Sequence, residues 1–111
     1  MTHPSDFRVV MRHGRKTGTG KIVLHVLVRN GVAPPRFGFI VTKSVGGAVT
    51  RNLIRRRLRA VCREVLPNVP PGTDVVVRAL PGCEQIDWVS LYREIAEGIG
   101  TLMTTSTARA R

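Results

Sequence analysis

Acidic residues are scarce in this sequence, and their absence is concentrated in one half. Between Phe7 and Arg63 there is no aspartate or glutamate, while residues 1–63 carry 14 lysines and arginines against the single Asp6. Metal-dependent nucleases gather carboxylates around Mg2+, and general acid–base hydrolysis needs paired titrating groups. The basic half can supply neither, so any catalysis in which the chain takes part falls to a partner. Cysteine is also scarce. Cys62 and Cys83 make neither a zinc tetrad nor a disulfide framework, and Cys62, on the apolar side of a helix, reads as a buried thiol. His3, His13 and His25 lack ligand-like spacing, so no metal site is expected. No hydrophobic run is long. Ile22 to Val28 is strand-sized, far short of a bilayer span, and the polar stretch from Met1 to Asp6 does not open a signal peptide. A cytoplasmic protein without membrane association is expected.

What is present points to one small domain. The 111 residues are 42% hydrophobic, enough for a core but not for two domains. A single domain over 1–111 is expected, with its core in 5–103 and a frayed tail over 104–111. The net charge of +11 is unevenly spread: residues 1–63 sum to +13 and residues 64–111 to −2. Such a distribution marks a polyanion partner for one part of the molecule and an ordinary solvated surface for the other.

Periodicity places the elements. Ser5 to Lys16 reads as a short helix, with Phe7, Val10 and Met11 on one side, Ser5 or Asp6 as cap and Gly14 as stop. Arg15 to Lys21 reads as a flexible basic stretch, its glycines Gly18 and Gly20 opposing regular structure. Ile22 to Arg29 is a strand covered on both faces. Asn30-Gly31 and Pro34-Pro35 turn the chain, and Phe37 to Thr42 returns antiparallel to the first strand. Phe37 and Phe39 share one sheet face, assigned to the core. After the Lys43–Gly47 loop, a helix over Ala48–Leu66 carries the apolar stripe Ile54, Leu58, Val61, Cys62 and Val65. Pro67 stops it. Asp74 to Leu80 is a third strand, and Asp87 to Met103 a last helix in which Trp88, Tyr92 and Ile95 serve packing. The order α-β-β-α-β-α makes a single-domain α+β sandwich.

On a wheel of the middle helix, Asn52, Arg55, Arg56, Arg59 and Arg63 fall on one arc beside the apolar stripe, with Arg51 in the first turn. Guanidinium forks match phosphate oxygens bidentately. The free N–H groups at the helix start, with Lys43 nearby, extend the positive end. A merely solvated face would interleave acids at i±4, and none occurs before Glu64. A polyanion site is therefore the preferred reading.

The run Val45-Gly46-Gly47-Ala48-Val49-Thr50-Arg51-Asn52-Leu53-Ile54-Arg55-Arg56-Arg57-Leu58-Arg59 resembles the signature of the bacterial ribonuclease P protein subunit. Phe37 to Lys43 resembles the strand and turn before that signature. Asp6-Phe7 with Arg12-His13-Gly14 resembles the family's first helix, and Pro71 to Val77 its last strand. The resemblance implies a ribosomal-protein-S5-domain-2-like fold with a left-handed βαβ crossover, which the general rule for crossovers does not anticipate. It also implies a subunit of an endoribonuclease holoenzyme that removes 5′ leaders from precursor tRNA. Catalysis then resides in the RNA subunit, with Mg2+ held mainly by that RNA and no catalytic residue on the protein. Partners are the catalytic RNA and precursor tRNA, with no obligate protein partner. The resemblance places Arg51, Asn52, Arg55, Arg56 and Arg59 against the catalytic RNA, and Lys43 and Arg63, from the helix start and the wheel, complete the expected RNA-binding set. The resemblance also assigns Phe7, Met11 and His25 to a cleft for the single-stranded leader. Met11 and His25 stand where many relatives carry an aromatic, so stacking rests mainly on Phe7. Relatives also carry a further, usually basic segment before the Asp-Phe pair, so a longer native N-terminus is expected.

Three other classes share parts of these observations. A structural RNA-binding protein of ribosomal type would have the same charge and is separated only by the signature. A DNA-binding module would need base-reading side chains at the helix start and a dimer interface, for which Asn52 alone is thin support. A protein-only nuclease is opposed by the missing carboxylates.

Overall fold

A computed structural model describes residues 4–18, 20–29 and 31–109; side chains are described for Asp6 to Met103, apart from 19 and 30. The Ser5 cap, Asn30 of the expected turn and the last two residues of the tail lie outside what is described.

The order is α1 (Pro4–His13), β1 (Arg15–Gly18), β2 (Ile22–Val28), β3 (Arg36–Ile40), α2 (Ala48–Val65), β4 (Thr73–Ala79) and α3 (Trp88–Arg109), with short 3-10 turns at Lys43–Val45, Leu66–Asn68 and Cys83–Gln85. This is the expected α+β arrangement with one strand added. Arg15–Gly18, read from sequence as flexible, pairs with β2 in the register Arg15↔Val26 to Gly18↔Val23. The sheet order is β1-β2-β4-β3. β4 is antiparallel to β2 and parallel to β3, so β3 returns antiparallel in direction but does not pair with β2. The last strand inserts between them. Thr73 to Val77 are all buried, and a strand apolar on both faces gains most at the centre of a sheet.

Alternation divides the sheet into two faces. Ile22, Leu24 and Val26 of β2, Val75, Val77 and Ala79 of β4, and the part-buried Phe37 and Phe39 of β3 join the main core. α2 contributes Ile54, Leu58, Val61, Cys62 and Val65, the whole expected stripe, and α3 contributes Leu91, Ile95, Ile99 and Leu102. Cys62 and Cys83 are buried free thiols; burial pushes the Cys62 thiol up to about 12. Trp88 departs from its expected packing role: it is 42% exposed and stacks on Tyr92 at 5.6 Å between ring centres. α3 starts where Asp87 accepts the Ser90 N–H at 3.1 Å, and runs to Arg109, past residue 103 where the apolar period ends.

Arg57 has no place on the expected RNA face. Its guanidinium donates to the Glu84 carbonyl at 2.8 Å and to the Ile86 carbonyl, tying α2 to the turn that precedes α3.

Candidate nucleic-acid interface

α1 covers part of the second sheet face. Val10 and Val76, both fully buried, pack this layer outside the main core. Two close approaches set the position of α1. At its end, the Gly14 N–H donates to the Val10 carbonyl at 2.8 Å. A Cβ at Gly14 would lie 2.5 Å from that oxygen and 2.7 Å from the Val26 carbonyl, so only glycine lets the helix pass directly into β1. At its start, a Cβ on Gly38 would lie 2.5 Å from the Phe7 ring. Gly38 thus leaves the space that the ring occupies.

An ion-pair chain ties α1 to the same face. Arg36 Nε and Nη2 donate to the two Asp74 carboxylate oxygens at 2.9 and 2.7 Å. Arg29 approaches Asp74 at 3.0 Å, and Arg36 reaches Asp6 of α1 at 3.8 Å. The Asp74 side chain is 4% exposed, a burial that a carboxylate tolerates only when charge-paired and hydrogen-bonded. Asp6 and Asp74 are therefore engaged with arginines. Among the described residues no group of three or more His, Cys, Asp and Glu could hold a metal ion.

The register lines up Lys16, His25, Val76 and Gly38 across the sheet, with Val23, Arg78 and Ile40 in the adjoining row. Phe7 is half-buried against Gly38 and Met11 is exposed on α1. His25, assigned by the resemblance to the same leader-facing set, is a buried member of this sheet face. It is 6% exposed, and neither ring nitrogen has a hydrogen-bond partner among the described residues. Burial lowers its pKa, and the Lys16 and Arg78 charges lower it further. Arg78 and Lys16 were missed as members of this face. The signal was available in the alternation Asp74, Val76, Arg78, which sends every second side chain of β4 to the α1 side.

Gly38→Ala is expected to push the Phe7 ring from its seat. It should weaken binding of a single-stranded leader by up to about tenfold, within the roughly 1–3 kcal/mol of one base stack, while circular dichroism retains the native spectrum. His25 gives a pH dependence with a definite sign. Its folded pKa lies below its unfolded value of about 6.5, so the unfolded chain binds the proton first. The stability contribution is complete above about pH 6.5 and is lost as pH falls toward the folded pKa. Melts across pH 7 to 5 should show a steeper acid decline in the wild type than in His25→Gln; parallel declines would contradict it.

The arginine face stands on α2. Asn52, Arg55, Arg56 and Arg59 line a shallow depression of about 620 Å3. Arg55 is held in place, Nη1 donating to Asn52 Oδ1 and Nη2 to the Val41 carbonyl, both at 3.3 Å. Arg56, Arg59, Arg63 and Lys43 are exposed, and among the described residues none of them forms an ion pair. Arg51 is half-buried in the first turn with its Nε unpartnered. The six α2 candidates thus share one helix, with Lys43 on the turn before it, while Phe7 and Met11 lie on the other side of the sheet.

A one-domain α+β protein with a row of exposed arginines along one helix, none of them in an ion pair among the described residues, is a polyanion-binding module. The comparison with known proteins narrows this class. The family described as Ribonuclease P matches residues 1–103. The ribonuclease P protein component of Clavibacter michiganensis is 48% identical over 105 residues, covering 95% of this chain and 93% of that one. The corresponding component of Streptomyces griseus is 42% identical, covering 88% and 86%. Among solved structures, the RNase P protein of Staphylococcus aureus superposes with a TM-score of 0.74 at 19% identity, covering 96% of this chain and 93% of that one. That of Thermotoga maritima gives 0.77 at 22%, covering 89% and 95%. At these identities the structures bear on the fold, which they share. The chain belongs to the ribonuclease P protein family. It is a protein component of an endoribonuclease that processes tRNA 5′ ends together with an RNA subunit. No helix among the described residues is long and apolar enough to cross a membrane.

Proposed function

We propose that this protein assists its RNA subunit by two separate grips. In the first, Arg51, Asn52, Arg55, Arg56, Arg59 and Arg63 on α2, with Lys43 before it, bind the catalytic RNA. In the second, the cleft between α1 and the sheet receives the single-stranded 5′ leader of precursor tRNA, with Phe7 as its stacking surface and Met11 at its margin. His25 acts from beneath, as a buried neutral ring that shapes the floor. The observation that carries this reading is the set of exposed α2 cations without carboxylate partners among the described residues. Their mutual repulsion costs stability unless phosphates neutralise it.

The reaction's Mg2+ belongs, in this reading, mainly to the RNA. The two carboxylates on the α1 side of the sheet, Asp6 and Asp74, do not suit a resident ion, since both are committed to arginines. The protein's own contribution is electrostatic and positional. It neutralises crowded phosphates so that RNA and leader approach with less added cation, and it holds the leader without strict sequence readout, as stacking on unpaired bases does. Its place of action is the cytoplasm, together with precursor tRNA.

The test is 5′-leader cleavage at low Mg2+, with the cognate catalytic RNA, with and without this protein, beside a protein-only control. Stimulation with RNA and none without it is the expected result. Cleavage by the protein alone would overturn the assignment of chemistry to RNA. Tight RNA binding without stimulation would favour a structural RNA-binding role instead.

A further inference from the structure

A cavity of about 440 Å3 lies on the far edge of the sheet from β3, where the end of α1, strand β1 and the second half of α3 meet. It is lined by His13, Gly14, Arg15, Lys16, Thr17, Thr101 and Leu102. None of these is acidic, and Glu97, one turn before Thr101 on α3, does not line it. The register explains its polarity. Arg15 and Thr17 pair with Val26 and Leu24, both core residues, so they point to the α3 side of the sheet, while Lys16 alternates to the His25 side. Because β1 is the edge strand, no further strand covers them. Arg15 is half-buried between the elements, and among the described residues it, Lys16 and His13 make no ion pair.

A partly buried guanidinium and the Thr17 hydroxyl lining one cavity, with His13 also in the lining, are a setting for a phosphate: the fork gives two directed N–H donors and the hydroxyl a third. We propose that this cavity binds a backbone phosphate of RNA, as a contact separate from the α2 face and from the leader cleft. The sheet is four strands wide, so the cavity stands roughly 14 Å across it from β3, next to which α2 packs. An RNA chain leaving the cleft around the short β1 edge, or a second segment of the catalytic RNA, meets it there. The inference rests on the RNA-binding reading above, and it adds a site that neither the arginine helix nor the cleft supplies.

The test uses Arg15→Gln, which keeps the aliphatic stem, and Arg15→Lys, with thermal melts to verify folding and His13→Ala as an exposed second variant. Affinity is measured against salt in two arms, protein with the catalytic RNA transcript, and reconstituted holoenzyme with precursor tRNA. The slope of log affinity against log salt should fall by about one in Arg15→Gln, with affinity down about tenfold at low salt. Arg15→Lys should recover the slope but only part of the affinity, because an ammonium is not bidentate. His13→Ala should weaken affinity by a smaller factor. Loss in the first arm identifies the catalytic RNA as the source of the phosphate; loss in the second alone identifies precursor tRNA. Unchanged slopes and affinities in both arms, beside a steep wild-type slope, overturn this site and leave the α2 and cleft reading standing. A wild type that binds neither RNA overturns both.

Discussion

Arg56→Glu combined with Arg59→Glu is expected to reduce catalytic-RNA affinity by about 100-fold or more without unfolding the protein. Both side chains are exposed on α2 and neither forms an ion pair among the described residues, so nothing in the fold depends on them. Substitutions of this kind usually shift stability by no more than about 0.5 kcal/mol. Here the shift should be toward greater stability, since the carboxylate introduced by Arg59→Glu would face Arg55 and Arg63 one turn away on either side. Binding moves the other way. Hydrogen bonds to charged groups contribute about 1.5–3 kcal/mol each, and reversal adds repulsion to the lost contacts. The two readouts therefore separate, with a steep fall in affinity, a shallower salt dependence and an equal or higher Tm. Undiminished binding would remove the α2 face from the interface, and a collapsed melt would show that these arginines hold the fold.

The second large effect is expected from Asp74→Ala. The carboxylate is buried and shared between Arg36 and Arg29, and its hydrogen bond to Arg36 raises that guanidinium's pKa. Its removal leaves two cations side by side at one end of the sheet. Breaking a buried pair costs about 3–5 kcal/mol. The lower end applies, because Arg29 and Arg36 are 42% and 35% exposed and can turn to water. At roughly 4 °C or more per kcal/mol for a domain of this size, Tm should fall by about 10 °C or more. Asp74→Asn keeps an acceptor without the charge and should fall between variant and wild type in denaturant titrations. The effect should reach the cleft as well, because Arg36 links Asp74 to Asp6 on α1. An Asp74→Ala protein as stable as the wild type would show that the chain of ion pairs is incidental.

Much of the architecture is legible in the residues because burial leaves a periodic mark. The α2 stripe from Ile54 to Val65 is buried as its spacing predicts, and the arginine arc beside it follows from the same helical period. Phe37 and Phe39 join the core through strand alternation. β1 left no such mark. Four residues, Arg15-Lys16-Thr17-Gly18, bury little, and their strand conformation is set by hydrogen bonds to β2 instead of by their own composition. Trp88 looked like a packing residue because it keeps the helical period, yet it lies at the first turn of α3, where the core ends.

Charge distribution, the arginine helix, the family signature and the absence of a carboxylate cluster from the basic half are properties of the chain alone, since each depends on residue type and local spacing. The partners of each element are not. Sequence proximity favours a β2–β3 hairpin, whereas burial of a doubly apolar β4 favours placing that strand between them, and only the packed sheet settles the competition. The same packing buries His25, exposes Arg78 and opens the cavity at Arg15. Whether a side chain meets water or a neighbour depends on elements far away in the chain, through van der Waals contact and desolvation that no local pattern encodes.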